Sequence, residues 1–303
     1  MCSIVQLNVD YTYDYAFSPL IFRMNTLTDI TRATAAAPAR SRERRQSVQA
    51  ADTVVAVLKG LASLGGGASL TALATYLEEN PAKVHRYLVS LIDGGLVTQN
   101  ANTQQYTLGL ETMLIGLAAI RQADPIRISE PALIRLREQL GITSFIAVMG
   151  NKGPTIVRME EPSLPVTVNV RVGSVLSFLW SATGRVFLGM HDEPAVRTLA
   201  RQEYDLLCKA QKLPASFDDL VSQMHEEIST SHCIRVSDTN LKGISAVAAP
   251  VFNYAGQLTA VLTALGASGG FDTSLTGPIA VTVREQARQI SQQLGNSKLP
   301  VGK

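Results

Sequence analysis

The run Asn80-Pro81-Ala82-Lys83-Val84-His85-Arg86 holds side chains whose types and spacing suit recognition by charge and hydrogen bonding. Asn followed by Pro is a helix start, because Asn caps the first amides and Pro fills a first-turn position that needs no N–H. If Val84, Leu88, Leu91 and Ile92 form the buried face, the opposite face presents Ala82, His85, Arg86 and Ser90, with Lys83 near its edge. Arg86 can fork onto a guanine edge or clamp a phosphate, and Lys83 supplies a point charge at the helix start. The polar turn Asn100-Ala101-Asn102-Thr103 leads into Thr103, Gln104 and Gln105, neutral groups suited to phosphate or minor-groove contacts. Ser69, a candidate N-cap just upstream, joins them. Together these residues predict a surface that meets duplex DNA.

Other chemistry is weaker. Gly266-Ala267-Ser268-Gly269-Gly270 fits the spacing of a nucleophile elbow, but no helix starts directly after Ser268 and no His follows it in the chain. His225, His232 and Cys233 are close in sequence, yet no fourth ligand completes a tetrahedral zinc set, and His225-Glu226-Glu227 lacks the second His of a metalloprotease helix. No phosphate-cradling or dinucleotide glycine motif is present. The expectation is a binding protein rather than an enzyme, with no cofactor and no metal.

The surrounding elements explain how the polar face would be held. Val54, Val57, Leu58, Leu61 and Leu64 recur at helical spacing until Gly65-Gly66-Gly67. A short helix with Leu70, Leu73, Ala74 and Leu77 on one face follows Ser69, and Gly94-Gly95 ends the third helix. Two β-like runs, Leu96–Thr98 and Gln105–Leu108, then flank the polar turn. Helix, helix, tight turn, helix and hairpin make a winged helix-turn-helix over residues 47–110. Residues 111–124 read as a linking helix whose wide apolar surface fits either a second subunit or an intradomain core. Beyond 125 the pattern is α+β. A helix starts near Pro131, strands are suggested at 143–149, 155–160, 166–171, 233–237, 244–252 and 258–265, and helices at 181–190, 194–203, 216–229 and 278–294. Hairpin-linked strands with segregated helices indicate an antiparallel sheet.

At 303 residues the chain is long enough for two domains, and its net charge of +2 does not by itself signal nucleic acid. The charge is unevenly placed. Arg32, Arg40, Arg42, Arg44 and Arg45 face only Glu43, so residues 1–46 form a flexible arm with a basic end. Between Ala50 and Leu110, Lys59, Lys83 and Arg86 are outnumbered by Asp52, Glu78, Glu79 and Asp93. The module alone is thus not basic, and a helix-turn-helix kept for protein contacts would have the same composition. The arm could restore affinity through phosphates and the minor groove, with Arg42, Arg44 and Arg45 nearest the module, or remain a solvated tail. Three unpatterned cysteines argue against a disulfide framework and fit a reducing compartment, the cytoplasm. Residues 1–24 lack the basic and apolar regions of a signal peptide, and Met24 is a second candidate start. The stretch Gly243–Phe271 carries no charge, but Pro250, Asn253, Gly256 and Gln257 interrupt it, so it reads as two strands joined by a turn rather than a membrane helix.

Several segments resemble the isocitrate-lyase-regulator (IclR) family of bacterial transcription factors. They are Ser47-Val48-Gln49-Ala50, Ser69-Leu70-Thr71-Ala72-Leu73-Ala74, Lys83-Val84-His85-Arg86-Tyr87-Leu88, Gly95-Leu96-Val97 and Tyr106-Thr107-Leu108-Gly109 in the first half. Ser181-Ala182-Thr183-Gly184-Arg185, Gly243-Ile244 and Ala246 through Asn253 continue the likeness in the second. The resemblance runs over residues 47–295 and implies a DNA-binding regulator joined to an effector-binding and oligomerisation domain over 125–303, with a GAF- or profilin-like sheet. It further implies a homodimer or homotetramer on a palindromic operator, and an organic acid or aromatic metabolite as effector. The implied pocket falls on Ala182, Thr183, Gly184, Val236, Ile244, Ala246, Thr263 and Leu265, with the amides of 182–184 able to receive a carboxylate. These positions would look the same as ordinary core. The sequence departs from the family pattern at Val236, where an Asp is frequent, and at Thr239, where an acid precedes Gly243. Both departures favour a more apolar ligand, or none. A ligand-binding or dimerisation protein that no longer reads DNA is the alternative from another class.

Overall fold

A computed structural model of the chain describes residues 48–65, 67–162, 170–191, 193–209, 216–239 and 241–296. The expected arm, with Arg42, Arg44 and Arg45, lies outside the described residues.

The first three helices form around one small core. Helix α1 (Gln49–Ser63) buries Thr53, Val57, Gly60 and Leu61. Its Gly60 lets a neighbouring helix come close, since a Cβ there would stand 2.9 Å from Leu73 Cδ1. Helix α2 (Leu70–Tyr76) starts on Ser69, whose hydroxyl accepts from the Ala72 amide at 3.1 Å. Helix α3 (Pro81–Asp93) starts on Asn80, whose carbonyl oxygen accepts from Ala82 N at 2.8 Å. Strands β1 (Val97–Gln99) and β2 (Tyr106–Leu108) pair antiparallel, and Ala68 bridges to Tyr106, tying the α1–α2 connection to the hairpin. Leu73, Val84 and Leu88 are fully enclosed, together with Val57 and Val97. Each such aliphatic side chain stabilises the module by about 1.5–3 kcal/mol. This is the winged helix-turn-helix expected from the periodicity.

Helix α4 (Leu110–Gln122) leaves the hairpin without slack. The Thr112 hydroxyl donates to Leu96 O at 2.7 Å, Gly109 N donates to the same carbonyl at 2.8 Å, and a Cβ on Gly109 would lie 2.2 Å from Gly95 O. None of its residues is buried among the described residues; Leu110, Met113, Leu114, Ile115, Leu117 and Ile120 are exposed. The intradomain-core reading of this helix therefore does not hold among the described residues.

The second half differs from the sequence expectation at its first helix. Helix α5 (Pro125–Leu140) begins well before Pro131, which lies inside it. Asp124 caps Ile126 N at 2.9 Å and Pro125 fits the first turn, so the true start carries the same Asn/Asp-Pro signature as α3. Burial of Ser129, Ala132, Leu133 and Leu136 offsets the hydrogen bond lost at Pro131. Strands β3 (Thr143–Gly150), β4 (Gly153–Glu160), β5 (Ile234–Ser237), β6 (Ile244–Phe252) and β7 (Leu258–Ala267) form one antiparallel sheet in the order β4-β3-β7-β6-β5. Of the strand expected over 166–171, residues 166–169 lie outside the described residues and 170–171 are not in a strand; the extra bridge is Thr155 to Val175.

Period-2 alternation sends successive side chains to opposite faces. On one face Phe145, Ile234, Val236, Ala246, Ala248, Val261 and Leu265 pack with helices α6 (Ala182–Met190), α7 (Pro194–Lys209) and α8 (Phe217–Ser231). On the other, Ile146, Val247, Ala249, Val251, Leu262 and Ala264 pack with α5 and α9 (Pro278–Gln293). The uncharged stretch from Gly243 forms the β6–β7 hairpin, closed by Asn253 N donating to Gln257 O at 3.0 Å, and no described helix is long and apolar enough to cross a membrane.

Candidate functional site

The polar face of α3 is held out by the core beneath it. Val84, Leu88 and Leu91 are buried, while Ala82, His85, Arg86 and Ser90 are exposed. The Ser90 hydroxyl folds back on Arg86 O at 3.4 Å, a weak local bond that a stronger partner could replace. Lys83 is not free: its Nζ lies 2.6 Å from Glu79 Oε1. The turn between α2 and α3 places Glu78 in the left-handed region at φ 55°. On the hairpin, Thr103, Gln104 and Gln105 are all exposed. Gln104 Nε2 donates to Ala101 O at 2.8 Å and its Oε1 accepts from Gln99 at 2.9 Å, so this side chain shapes the turn. Ser69, likewise exposed, spends its hydroxyl as a cap. Arg86 and His85 are thus exposed hydrogen-bonding side chains on α3 within reach of an external partner.

The second candidate site lies between the sheet and the start of α6. Seven of the eight residues predicted there line one cleft: Ala182, Thr183, Val236, Ile244, Ala246, Thr263 and Leu265. Strand register brings them together, because Val236 pairs with Ala246, Ala246 with Leu265, and Thr263 with Phe145. The cleft measures about 440 Å³ counted out to its mouth, of which about 40 Å³ admits the centre of a water molecule. Its lining also includes Phe145, Val170, Leu176, Ser181 and Leu241, which sequence reasoning missed. Phe145 was legible in principle, since it shares the inward face of β3 with Ala147. Val170 and Leu241 come from irregular segments with no periodicity to follow.

Among the described residues the polar groups of the cleft are few and uncharged. Thr183 Oγ1 and Thr263 Oγ1 lie 2.8 Å apart, both about 1% exposed. Two hydroxyls carry two protons, and their mutual bond uses one. The amides of Ala182 and Thr183 open helix α6 and have no partner within it. Gly184 behaves differently: its amide donates to Ser181 Oγ at 2.9 Å, so it is not available to a carboxylate. A Cβ on Gly184 would sit 2.0 Å from Ser177 O, which makes this residue a point of close packing rather than part of the lining.

That packing is reinforced from three sides. The Ser177 hydroxyl donates to Glu203, whose other oxygen accepts from Phe178 N at 2.9 Å. Arg185 Nε donates to Leu179 O at 2.8 Å; burial lowers the pKa of this guanidinium, and nearby Glu227 partly restores it. The Thr239 hydroxyl donates to Trp180 O at 2.6 Å. Asp238, at φ 57°, accepts from Gly243 N at 2.6 Å and from Ser268 Oγ at 3.1 Å. Ser268, the would-be nucleophile, is therefore a loop anchor, and no group of three metal-ligating side chains occurs among the described residues.

Residues 50–101 match the IclR helix-turn-helix domain, and residues 117–292 match the family described as bacterial transcriptional regulator IclR C-terminal. The chain belongs to the IclR family. The HTH-type transcriptional regulator BhcR of Paracoccus denitrificans (strain Pd 1222) is 23% identical over 250 residues, covering 80% of this chain and 86% of that protein. The DNA-binding transcriptional repressor YiaJ of Escherichia coli (strain K12) is 23% identical over 263 residues, covering 85% and 92%. The crystal structure of Pseudomonas aeruginosa HmgR is 35% identical with a TM-score of 0.76, covering 83% of this chain and all of that one. This IclR-family protein is a DNA-binding transcriptional regulator with the family's C-terminal domain, not an enzyme.

Proposed function

We propose that this regulator reads its operator with the exposed face of α3, Arg86 and His85 foremost, and senses a largely apolar small molecule in the cleft beside α6. The observation that carries the first half is the capped N-terminus of α3 with Arg86 exposed above a closed core. In a helix-turn-helix the second of the paired helices enters the major groove. Thr103, Gln104 and Gln105 on the hairpin are the flanking backbone contacts, and Arg42, Arg44 and Arg45 of the arm supply the phosphate charge that the module lacks.

The chemistry of the cleft supports the effector class. Among the described residues its lining carries no charged side chain, so a small dianion would lose its hydration without gaining a counter-charge. The Thr183–Thr263 pair and the first amides of α6 instead suit one acceptor oxygen on an otherwise apolar body, such as an aromatic or branched organic acid. The exposed apolar side of α4 fits a second copy of the chain, which would give a homodimer or a homotetramer matched to a palindromic site. Such a protein acts in the cytoplasm.

Nuclease footprinting on the DNA upstream of its own gene tests this reading. A protected, roughly two-fold-symmetric segment that weakens when an aromatic acid is added is the expected result. Uniform cleavage at all protein concentrations, with and without such acids, would contradict it.

A further inference from the structure

The ion pair at the start of α3 has a consequence for how DNA is bound. Lys83 Nζ and Glu79 Oε1 lie 2.6 Å apart, with 28% and 35% of their side chains exposed. Glu79 stands immediately before the capping residue Asn80, and Lys83 one turn into the helix. The pair therefore sits at the end of the helix that approaches the groove and its flanking phosphates. Lys83 is one of only three cations between Ala50 and Leu110, against four acids. A carboxylate that holds one of them is a large perturbation of that surface.

We infer that Glu79 acts as an internal competitor for the DNA backbone: it occupies Lys83 in the free protein and must give it up to a phosphate when DNA binds. The inference rests on the DNA-reading role of α3. The pair is only partly buried, so water and salt still screen it and a phosphate in reach displaces the carboxylate. Glu79 then remains, unpaired, beside a polyanion. Lys83 consequently yields little net affinity in the native sequence, and binding depends more heavily on Arg86 and on bases. Removing the carboxylate charge while keeping its shape should release Lys83 and remove the repulsion together.

The test compares Glu79→Gln, Lys83→Ala and the double variant with the native protein, by fluorescence anisotropy on operator and random duplexes across a salt series. Glu79→Gln should tighten binding to both duplexes by roughly three- to tenfold and steepen the slope of log K against log salt by about 0.9, the increment for one phosphate contact whose counterion release the freed carboxylate no longer offsets. Lys83→Ala should weaken the native protein by less than about twofold, yet abolish the gain in the Glu79→Gln background. Thermal unfolding should be nearly the same for all four proteins, which separates the effect from folding. Unchanged or weaker binding by Glu79→Gln would overturn the inference, as would a gain that survives Lys83→Ala. Loss of preference for one base pair in Glu79→Gln would also overturn it, by showing that the carboxylate reads a base. If the native protein binds DNA and Arg86→Ala weakens it, those outcomes sink only the role of Glu79. If the native protein binds no duplex at all, the DNA reading of α3 falls with it.

Discussion

On α3 the side chains proposed to meet DNA, His85 and Arg86, stand in solvent while Val84 and Leu88 of the same helix are fully buried. Around α6 the side chains proposed to meet an effector, Ala182, Thr183 and Thr263, are each about 1% exposed and belong to the interior. The first surface separates recognition from folding, since the residues that hold the helix are not the residues that would touch the partner. The second combines them, because Phe145, Leu176, Ala182, Val236, Ala246 and Leu265 of the lining also belong to the core between sheet and helices. Substitutions on α3 should therefore change binding alone, whereas those around α6 should change stability and binding together.

The largest expected effect lies at Gly184. A methyl group there would meet the Ser177 carbonyl at 2.0 Å, and backbone cannot step aside cheaply. Gly184→Ala should cost about 3 kcal/mol or more of stability in denaturant unfolding. A variant as stable as the native protein would show that the α6 start is far more pliable than its packing suggests. Next, Arg86→Ala should weaken operator binding by about 1–3 kcal/mol and relax preference at one base pair, with Tm unchanged. A large fall in Tm would break the separation claimed for α3.

Two smaller effects sharpen the contrast. Ala246→Leu places extra carbon into the cleft from β6. It should abolish the thermal stabilisation given by an aromatic acid that binds the native protein, which at a hundredfold excess over Kd is about 2.7 kcal/mol. Retained stabilisation would place the ligand elsewhere. The smallest effect concerns Glu285 on α9, whose carboxyl is held below its ordinary range chiefly by the hydrogen bond from Arg288, at 2.8 Å. A lowered folded-state pKa contributes stability above the unfolded carboxylate range, and that contribution is lost as pH falls through the folded value. Because the pair is largely solvated, Glu285→Gln should cost only a few tenths of a kcal/mol at neutral pH and nothing in acid. A cost of several kcal/mol, or one that persists in acid, would show a structural role that the surface position does not suggest.

Much of this architecture was legible from periodicity and caps. Asn80-Pro81 and Ser69 mark helix starts because their chemistry is local, and the uncharged stretch after Gly243 resolves into a hairpin because Asn253 and Gly256 enforce a turn. Pro131 misled for a physical reason: burial of Leu133 and Leu136 sustains a helix through a residue that would end an isolated one. The cleft was legible only through the family resemblance, since Val236, Ala246 and Leu265 lie far apart in sequence and meet through strand register. Leu241 and Val170 carried no periodic signal, and the pairing of Lys83 with Glu79 needed side-chain geometry, because a lysine four residues after a glutamate can equally face solvent. The exposure of α4 could not be read from its apolar composition, which is the same for a buried helix and for one awaiting a partner.

The most direct test of the account is fluorescence anisotropy of the full chain on DNA from its own upstream region, with excess random competitor, across a salt series and with native and Arg86→Ala proteins side by side. The account predicts tight, competitor-resistant binding by the native protein, a steep fall with salt, and a tenfold or greater loss in Arg86→Ala. Equal affinity of the two proteins for that DNA, or native binding no tighter than to random duplex even after small aromatic acids are added, would contradict it.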